Sequence, residues 1–257
     1  MKINTILADT DGQAMLADAL RRGADPTRRR FLQRGLTLGG LALLTGCTPK
    51  SEETIEQALT AMSRLNDRAQ AWLFDPTRLA PTYPDSMITR PFPFNAFYGE
   101  DEVPQIDGAA WRLELRGLVE RRAPWTLERL RALPQETQVT RHICVEGWSA
   151  IGKWGGVPFA HFLDLIGTDP HARYVGFQCA DDYFTSIDMA TARHPQTIMA
   201  LTYDGQTLPP RYGFPMKLRM PTKLGYKNPK HIQAIFVTNT YPGGYWENQG
   251  YNWFGGS

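Results

Sequence analysis

The sequence predicts an α+β domain standing behind an export signal. Three observations carry that expectation: a charged and then apolar N-terminal stretch that ends at a cysteine, many short strand-like runs divided by turn residues, and helical patterns too few and too scattered for a doubly wound sheet.

The signal comes first. Thr27-Arg28-Arg29-Arg30-Phe31-Leu32-Gln33 precedes an apolar run from Leu36 to Leu44. That run is too short, and with Gly35, Gly39 and Gly40 too rich in glycine, to remain as a bilayer-spanning helix. Consecutive arginines followed by Phe and Leu are the pattern of twin-arginine export, a route for folded proteins. Leu44-Thr45-Gly46-Cys47 resembles a bacterial lipobox with Cys47 lipidated; the alternative is an ordinary core cysteine. Residues 1–46 are therefore expected to be a twin-arginine lipoprotein signal peptide. Residues 47–257 would form one domain, lipid-anchored on the periplasmic side of the bacterial envelope. The first 46 residues hold seven Lys/Arg and four Asp/Glu, so their removal takes the formal charge from +2 to 21 − 22 = −1. A nearly neutral chain offers no basic stripe for phosphates, so nucleic acid is not an expected partner.

Along the domain, Ile55, Leu59, Met62, Leu65, Ala69 and Trp72 recur at helical spacing and predict an amphipathic helix over residues 51–73. Residues 75–106 carry six prolines and follow neither period, which predicts an extended loop that lines something. Alternation from Trp111 to Leu115, closed by Gly117, predicts a strand; Thr126 is placed to cap a short helix ending at Pro134. Residues 137–144 return to strand, and Pro158 opens a helix that Gly167 stops. Further strands are expected at 173–179, 183–188, 197–203, 216–220 and 231–238, with a hairpin turn at Asp204-Gly205.

Two clusters carry chemistry. Arg141-His142-Ile143-Cys144-Val145-Glu146-Gly147-Trp148 sets a thiol beside two basic residues, whose positive charge would favour the thiolate that binds a soft metal. A buried thiol, or a disulfide with Cys179, remains open on this reasoning. Arg141 would serve a bound anion or a surface ion pair, and His142 a base or a structural role. The five histidines at 142, 161, 171, 194 and 231 lack zinc-ligand spacing, and the glycines at 147–156 fit no nucleotide loop. The second cluster, Lys217, Arg219, Lys223, Lys227 and Lys230 around Gly225, suits an anionic group such as phosphate, or a lysine-guarded strand edge.

These clusters, with Pro209-Pro210-Arg211-Tyr212-Gly213-Phe214-Pro215 and Lys223-Leu224-Gly225-Tyr226-Lys227-Asn228-Pro229-Lys230, resemble the oxidoreductase molybdopterin-binding domain over roughly residues 90–240. Within it, bacterial periplasmic methionine-sulfoxide reductase catalytic subunits look nearest. The resemblance implies a sulfite-oxidase-type molybdopterin-binding fold, α+β with mixed β-sheets and short helices, carrying one molybdenum on one pterin. It implies that Cys144 is the protein's metal ligand and that Arg141 serves catalysis. By the same resemblance Asn95, Tyr98, Gly99, Cys179, Tyr212, Lys217, Asn228, Pro229 and Lys230 contact the cofactor. Cys179, Tyr212 and Lys217 stand where the family has Thr, Asn and Arg, and Lys for Arg keeps the charge but loses the bidentate fork.

The implied activity is oxygen-atom transfer that reduces an S-oxide or N-oxide, small or protein-bound, with electrons from a membrane b-type cytochrome. A sulfite-oxidising enzyme on the same fold is the first alternative and would need a cationic pocket, for which Arg141, Lys153 and Lys217 are the candidates. A cofactor-free binding lipoprotein with a Cys144–Cys179 disulfide is the second.

Overall fold

The computed structural model describes residues 52–257. The expected export signal, its arginines and Cys47 lie outside the described residues. Leu59–Ser257 form one compact unit, to which the sheets and pockets all belong. No helix among the described residues is long and apolar enough to cross a membrane.

Helix α1 spans Glu52–Leu73, as its periodicity predicts. From Leu59 onward its seat on the domain is polar. Asp67 Oδ1 accepts from Asn252 Nδ2 at 2.6 Å and from the Phe254 N–H at 2.9 Å, and Phe74, just past the helix end, packs edge-on to Phe254. The apolar stripe from Leu59 to Trp72 is left exposed.

Two five-stranded sheets follow among the described residues. The first has the order β2 (Trp125–Thr126), β1 (Arg112–Gly117), β10 (Ile232–Thr238), β5 (Tyr174–Cys179), β6 (Phe184–Asp188), in which β1 and β10 run parallel and every other pair antiparallel. The second has the order β3 (Glu136–Ile143), β4 (Ser149–Pro158), β7 (Ile198–Tyr203), β8 (Gln206–Thr207), with β9 (Lys217–Arg219) also paired to β7. Parallel and antiparallel pairs in one sheet, with short helices between strands, make this the α+β architecture that the sequence predicts.

The local reasons are visible in the residues. Alternation along β1 turns Leu113 and Leu115 inward while Arg112, Glu114 and Arg116 face out. Gly117 closes it at φ +82°, where an added Cβ would lie 2.0 Å from the Val237 carbonyl oxygen. Thr126 Oγ1 accepts from the Arg129 N–H at 3.1 Å and starts α2 (Leu127–Arg131). Pro158 precedes α3 (Phe159–Leu165), whose Phe159, Phe162 and Leu163 are fully buried. Asp204 and Gly205, both at positive φ, turn β7 into β8 as a type I′ hairpin requires.

Several elements escape the sequence reading, strand β4 and a four-residue helix among them. Strand β4 carries Gly152, Gly155 and Gly156, which look like loop; at Gly156 the glycine is required because a Cβ would meet the Met199 carbonyl at 2.0 Å. The four-residue helix α4 (Met189–Ala192), capped by Asp188, is too short to show a period.

The main core lies between the sheets, joining β1, β5 and β10 to the α3 phenylalanines, Val157, Met199, Leu201 and Leu218. A second cluster of Phe92, Trp154, Tyr203 and Tyr212 holds the proline-rich loop against β4 and β7.

The basic residues of 217–230 are all buried, so the lysine-guarded edge is ruled out. They also divide into two groups. Lys223 donates to the Phe254 carbonyl at 2.9 Å, and Lys227 donates to the Ser186 carbonyl at 2.6 Å and to the Glu247 carboxylate. These two fasten the C-terminal segment and do not line the Cys144 pocket. The Lys227 and Glu247 side chains are 0% and 1% exposed. Losing one partner of such a pair leaves an uncompensated charge, whereas replacing both with apolar groups does not. Glu247→Gln should therefore lower unfolding free energy by about 3 to 5 kcal/mol, and Lys227→Met with Glu247→Leu should recover most of it. Denaturant melts check this; a double variant as weak as the single one contradicts it.

Candidate functional site

β3 ends at Ile143, and Cys144 begins the turn into β4. The Cys144 N–H donates to the Trp148 carbonyl at 2.9 Å, the Gly147 N–H donates back to the Cys144 carbonyl at 3.2 Å, and Gly147 takes φ +92°. Cys144 opens onto a pocket walled by Asn95–Phe97 of the proline-rich loop, Glu146, Asp181 and Tyr183 of the β5–β6 turn, Gly225–Tyr226 and Asn228–Lys230, and Trp246 with Tyr251. The loop expected to line something lines this pocket.

The thiol is not activated as its sequence neighbours suggest. It donates to Glu146 Oε2 at 3.6 Å, and burial first, then the Glu146 charge, push its pKa up. Arg141 belongs to the opposite face of β3, because side chains alternate along a strand and a one-residue step reverses the side. Its guanidinium lies 5.3 Å over the Tyr83 ring, in a separate groove with Arg78. Arg141, expected to serve catalysis, thus lines that groove and not the Cys144 pocket. His142 is fully buried, and burial, then Lys217, Arg219 and Lys230, hold its pKa far below the usual imidazole value. A neutral imidazole does nothing to favour a thiolate.

Beneath the pocket is a cationic floor. Lys230 Nζ donates to the Asn95 carbonyl at 2.8 Å and lies 4.7 Å from the Phe94 ring centroid. Arg219 donates to the carbonyls of Met220 and Arg141 and to Asn228 Oδ1 and Thr140 Oγ1. Lys217, 2% exposed, faces the Trp154 ring at 4.9 Å and has no anionic or hydrogen-bonding partner among the described residues. His142 Nδ1, Arg219 Nε and His231 Nε2 are likewise buried without a partner among the described residues. Buried polar groups are ordinarily satisfied, and an unpaired buried cation is costly. Arg219 Nε and His142 Nδ1 are donors, while His231 Nε2, on a ring whose Nδ1 donates to the Phe214 carbonyl, is an acceptor; unsatisfied groups of both kinds around Lys217 fit a ligand that is anionic and rich in hydrogen-bonding atoms.

The remaining expected contacts fall in two sets. Asn95, Asn228, Pro229 and Lys230 line the Cys144 pocket. Tyr98 stands at its edge, its hydroxyl donating to Asp181 Oδ2 at 2.9 Å, and Cys179 ends β5, its pKa pushed up by burial and then by Asp181. Gly99 is exposed, its N–H donating to Glu102 Oε2 at 3.1 Å. Tyr212 is set in the aromatic cluster and donates to the Phe92 carbonyl at 2.9 Å, so it supports the loop and does not line the pocket. Cys144 and Cys179 are both free thiols, which removes the disulfide alternative.

Sequence reasoning missed Phe97, Glu146, Asp181, Tyr183, Trp246 and Tyr251 as pocket walls. Glu146 was within reach, two residues from Cys144 in the most chemically loaded stretch. Phe97 was too, between Asn95 and Tyr98; the others converge from loops distant in sequence, and only the fold brings them together.

The chain is similar to several known proteins. A family model described as the oxidoreductase molybdopterin binding domain matches residues 100–246. A putative protein-methionine-sulfoxide reductase subunit YedZ1 of Azospira oryzae is 68% identical over 251 residues, 96% of each chain. The protein-methionine-sulfoxide reductase catalytic subunit MsrP of Gluconobacter oxydans is 32% identical over 154 residues, 53% of this chain and 49% of that one. Among solved structures, the sulfane dehydrogenase SoxCD of Paracoccus pantotrophus aligns with TM-score 0.51 and 20% identity, covering 54% of this chain and 40% of that chain, a likeness of fold.

Burial, then Lys230 and Arg219, hold the Lys217 pKa well below the ordinary lysine value. Between that lowered value and about 10.4 the unfolded chain binds the proton that the folded chain has lost, so this group makes stability rise with pH. Lys217→Met should raise the melting temperature of the ligand-free chain near neutral pH, and the gain should shrink as pH approaches about 10. A neutral-pH loss of stability would show that Lys217 has a folded-state partner.

Proposed function

Because the chain belongs to the oxidoreductase molybdopterin-binding-domain family and has its sulfite-oxidase-type fold, we propose that it reduces S-oxides or N-oxides, methionine sulfoxide foremost, by oxygen-atom transfer. It is a molybdopterin oxidoreductase. When bound, the molybdopterin supplies two-electron redox chemistry at a metal. The residues present fit that group. Cys144 would supply a soft sulfur ligand, Lys217 and Lys230 would hold the anionic end, and the orphaned donors His142 Nδ1 and Arg219 Nε would find acceptors. By the resemblance to the family, the group would carry one molybdenum on one pterin.

The observation that carries the reductive direction is the pocket's charge. Glu146 and Asp181 line the Cys144 pocket with the rings of Phe97, Tyr183, Tyr226 and Trp246, and the lysine of the pocket wall, Lys230, is the one assigned to the cofactor's anionic end. A sulfite dianion would meet two carboxylates, while a neutral sulfoxide would meet ring faces. The cations that a sulfite site would need are elsewhere: Arg141 faces the other groove, Lys153 pairs with Asp85 at 2.5 Å, and Lys217 lies in the floor.

Reduction consumes two electrons and two protons and releases water, so a donor is needed. The sequence has no CxxCH haem-attachment motif, and the Azospira relative is named as a subunit, which supports a separate electron partner. We assign that role to a membrane b-type cytochrome, met on the periplasmic side by a chain exported through the twin-arginine route and anchored by lipid on Cys47.

Purified enzyme with a small-molecule electron donor should reduce methionine sulfoxide and oxidise sulfite poorly; the reverse preference would overturn the direction. Cys144→Ser, which exchanges a soft donor for a hard one, should lose turnover by orders of magnitude while remaining folded. Full activity in that variant would remove Cys144 from the metal.

Export and anchoring are tested separately. Changing Arg28, Arg29 and Arg30 to lysine should leave precursor in the cytoplasm, and Cys47→Ala should abolish labelling by radioactive palmitate. Labelling that persists refutes the anchor.

A further inference from the structure

The face of α1 that an amphipathic helix ordinarily buries is turned to solvent. Leu59, Met62, Leu65, Trp72 and Leu73 are 61%, 67%, 67%, 84% and 72% exposed, and they share one side of the helix, while the opposed side makes the contacts to Asn252 and Phe254. Isolated exposed leucines are ordinary. Five large apolar side chains in one continuous stripe about 20 Å long, at about 1.5 Å per residue, mark a surface made for contact.

We infer that this stripe lies on a lipid bilayer, so that α1 is a second membrane contact which fixes the orientation of the enzyme. The inference rests on the anchor proposed above for its location and on the exposed stripe for the contact itself. Cys47 precedes Glu52 by five residues, a tether that spans at most about 18 Å when fully extended. A lipid on Cys47 therefore keeps the start of α1 within headgroup reach. The composition agrees with an interfacial helix: leucine and methionine along the stripe, a tryptophan near its end, and exposed Arg68 on the flank where anionic headgroups would lie. The acidic residues Glu52, Glu53 and Glu56 all precede the stripe, in the first two turns.

The test uses the full chain, exported and processed with its cofactor, in vesicles of phosphatidylethanolamine and phosphatidylglycerol. A nitroxide is attached at Leu65→Cys, with Glu128→Cys on exposed α2 as the reference. At position 65 collisions with dissolved oxygen should increase and collisions with a water-soluble nickel reagent should be lost, while position 128 keeps full nickel access. Equal nickel access at both positions in vesicles overturns the inference. Shielding of position 65 from both reagents, and only when the electron partner is co-reconstituted, overturns it in favour of a protein contact. Loss of nickel access at position 65 in a chain that palmitate fails to label would sink the anchor and leave the bilayer contact standing.

Discussion

Five cationic side chains between Lys217 and Lys230 are buried, and the structure around them is organised by the partners they demand. Lys227 draws in Glu247, Lys223 takes the Phe254 carbonyl, Lys230 takes the Asn95 carbonyl, and Arg219 draws on the carbonyl of Arg141 in β3. These contacts tie the C-terminal segment and the proline-rich loop, two stretches whose helices are single 3-10 turns, to the sheets. The walls of the Cys144 pocket are therefore held largely by charge burial, with apolar packing supplying the sheets behind them. Lys217 is the exception: it is buried among other cations with nothing to balance it, which gives a bound anion its place.

Strand geometry then decides which residue of the chemical stretch reaches the pocket. His142 and Cys144 share a side of the chain and Arg141 takes the other, so adjacency in sequence misleads about adjacency in space. The thiol consequently stands beside a carboxylate, with its pKa raised, and a thiolate there needs a metal to hold it. The same carboxylate, with Asp181 and the aromatic walls, underlies the proposal of an uncharged substrate.

Much of the fold was legible because it rests on local rules. Thr126 as a cap, Pro158 and Gly167 as the bounds of α3, Asp204-Gly205 as a hairpin turn and the alternation along β1 each act over a few residues. Strand β4 was not legible, since Gly156 answers to the Met199 carbonyl of a strand more than forty residues away. The pocket divides in the same manner. Asn95, Cys144, Asn228 and Lys230 are carried by motifs with a recognisable order, whereas Tyr183, Trp246 and Tyr251 come from loops whose meeting is a tertiary event. The exposure of the α1 stripe is likewise invisible in sequence, because periodicity reports that a face is apolar without reporting what covers it.

The bond on which the proposed chemistry turns runs from Cys144 sulfur to molybdenum. X-ray absorption at the molybdenum edge reads it directly in the purified protein. Molybdenum in Cys144→Ser should have one sulfur neighbour fewer than in the parent chain, with the remaining sulfur neighbours unchanged. An identical sulfur count in the two proteins, or a fully active parent chain without molybdenum, would contradict it.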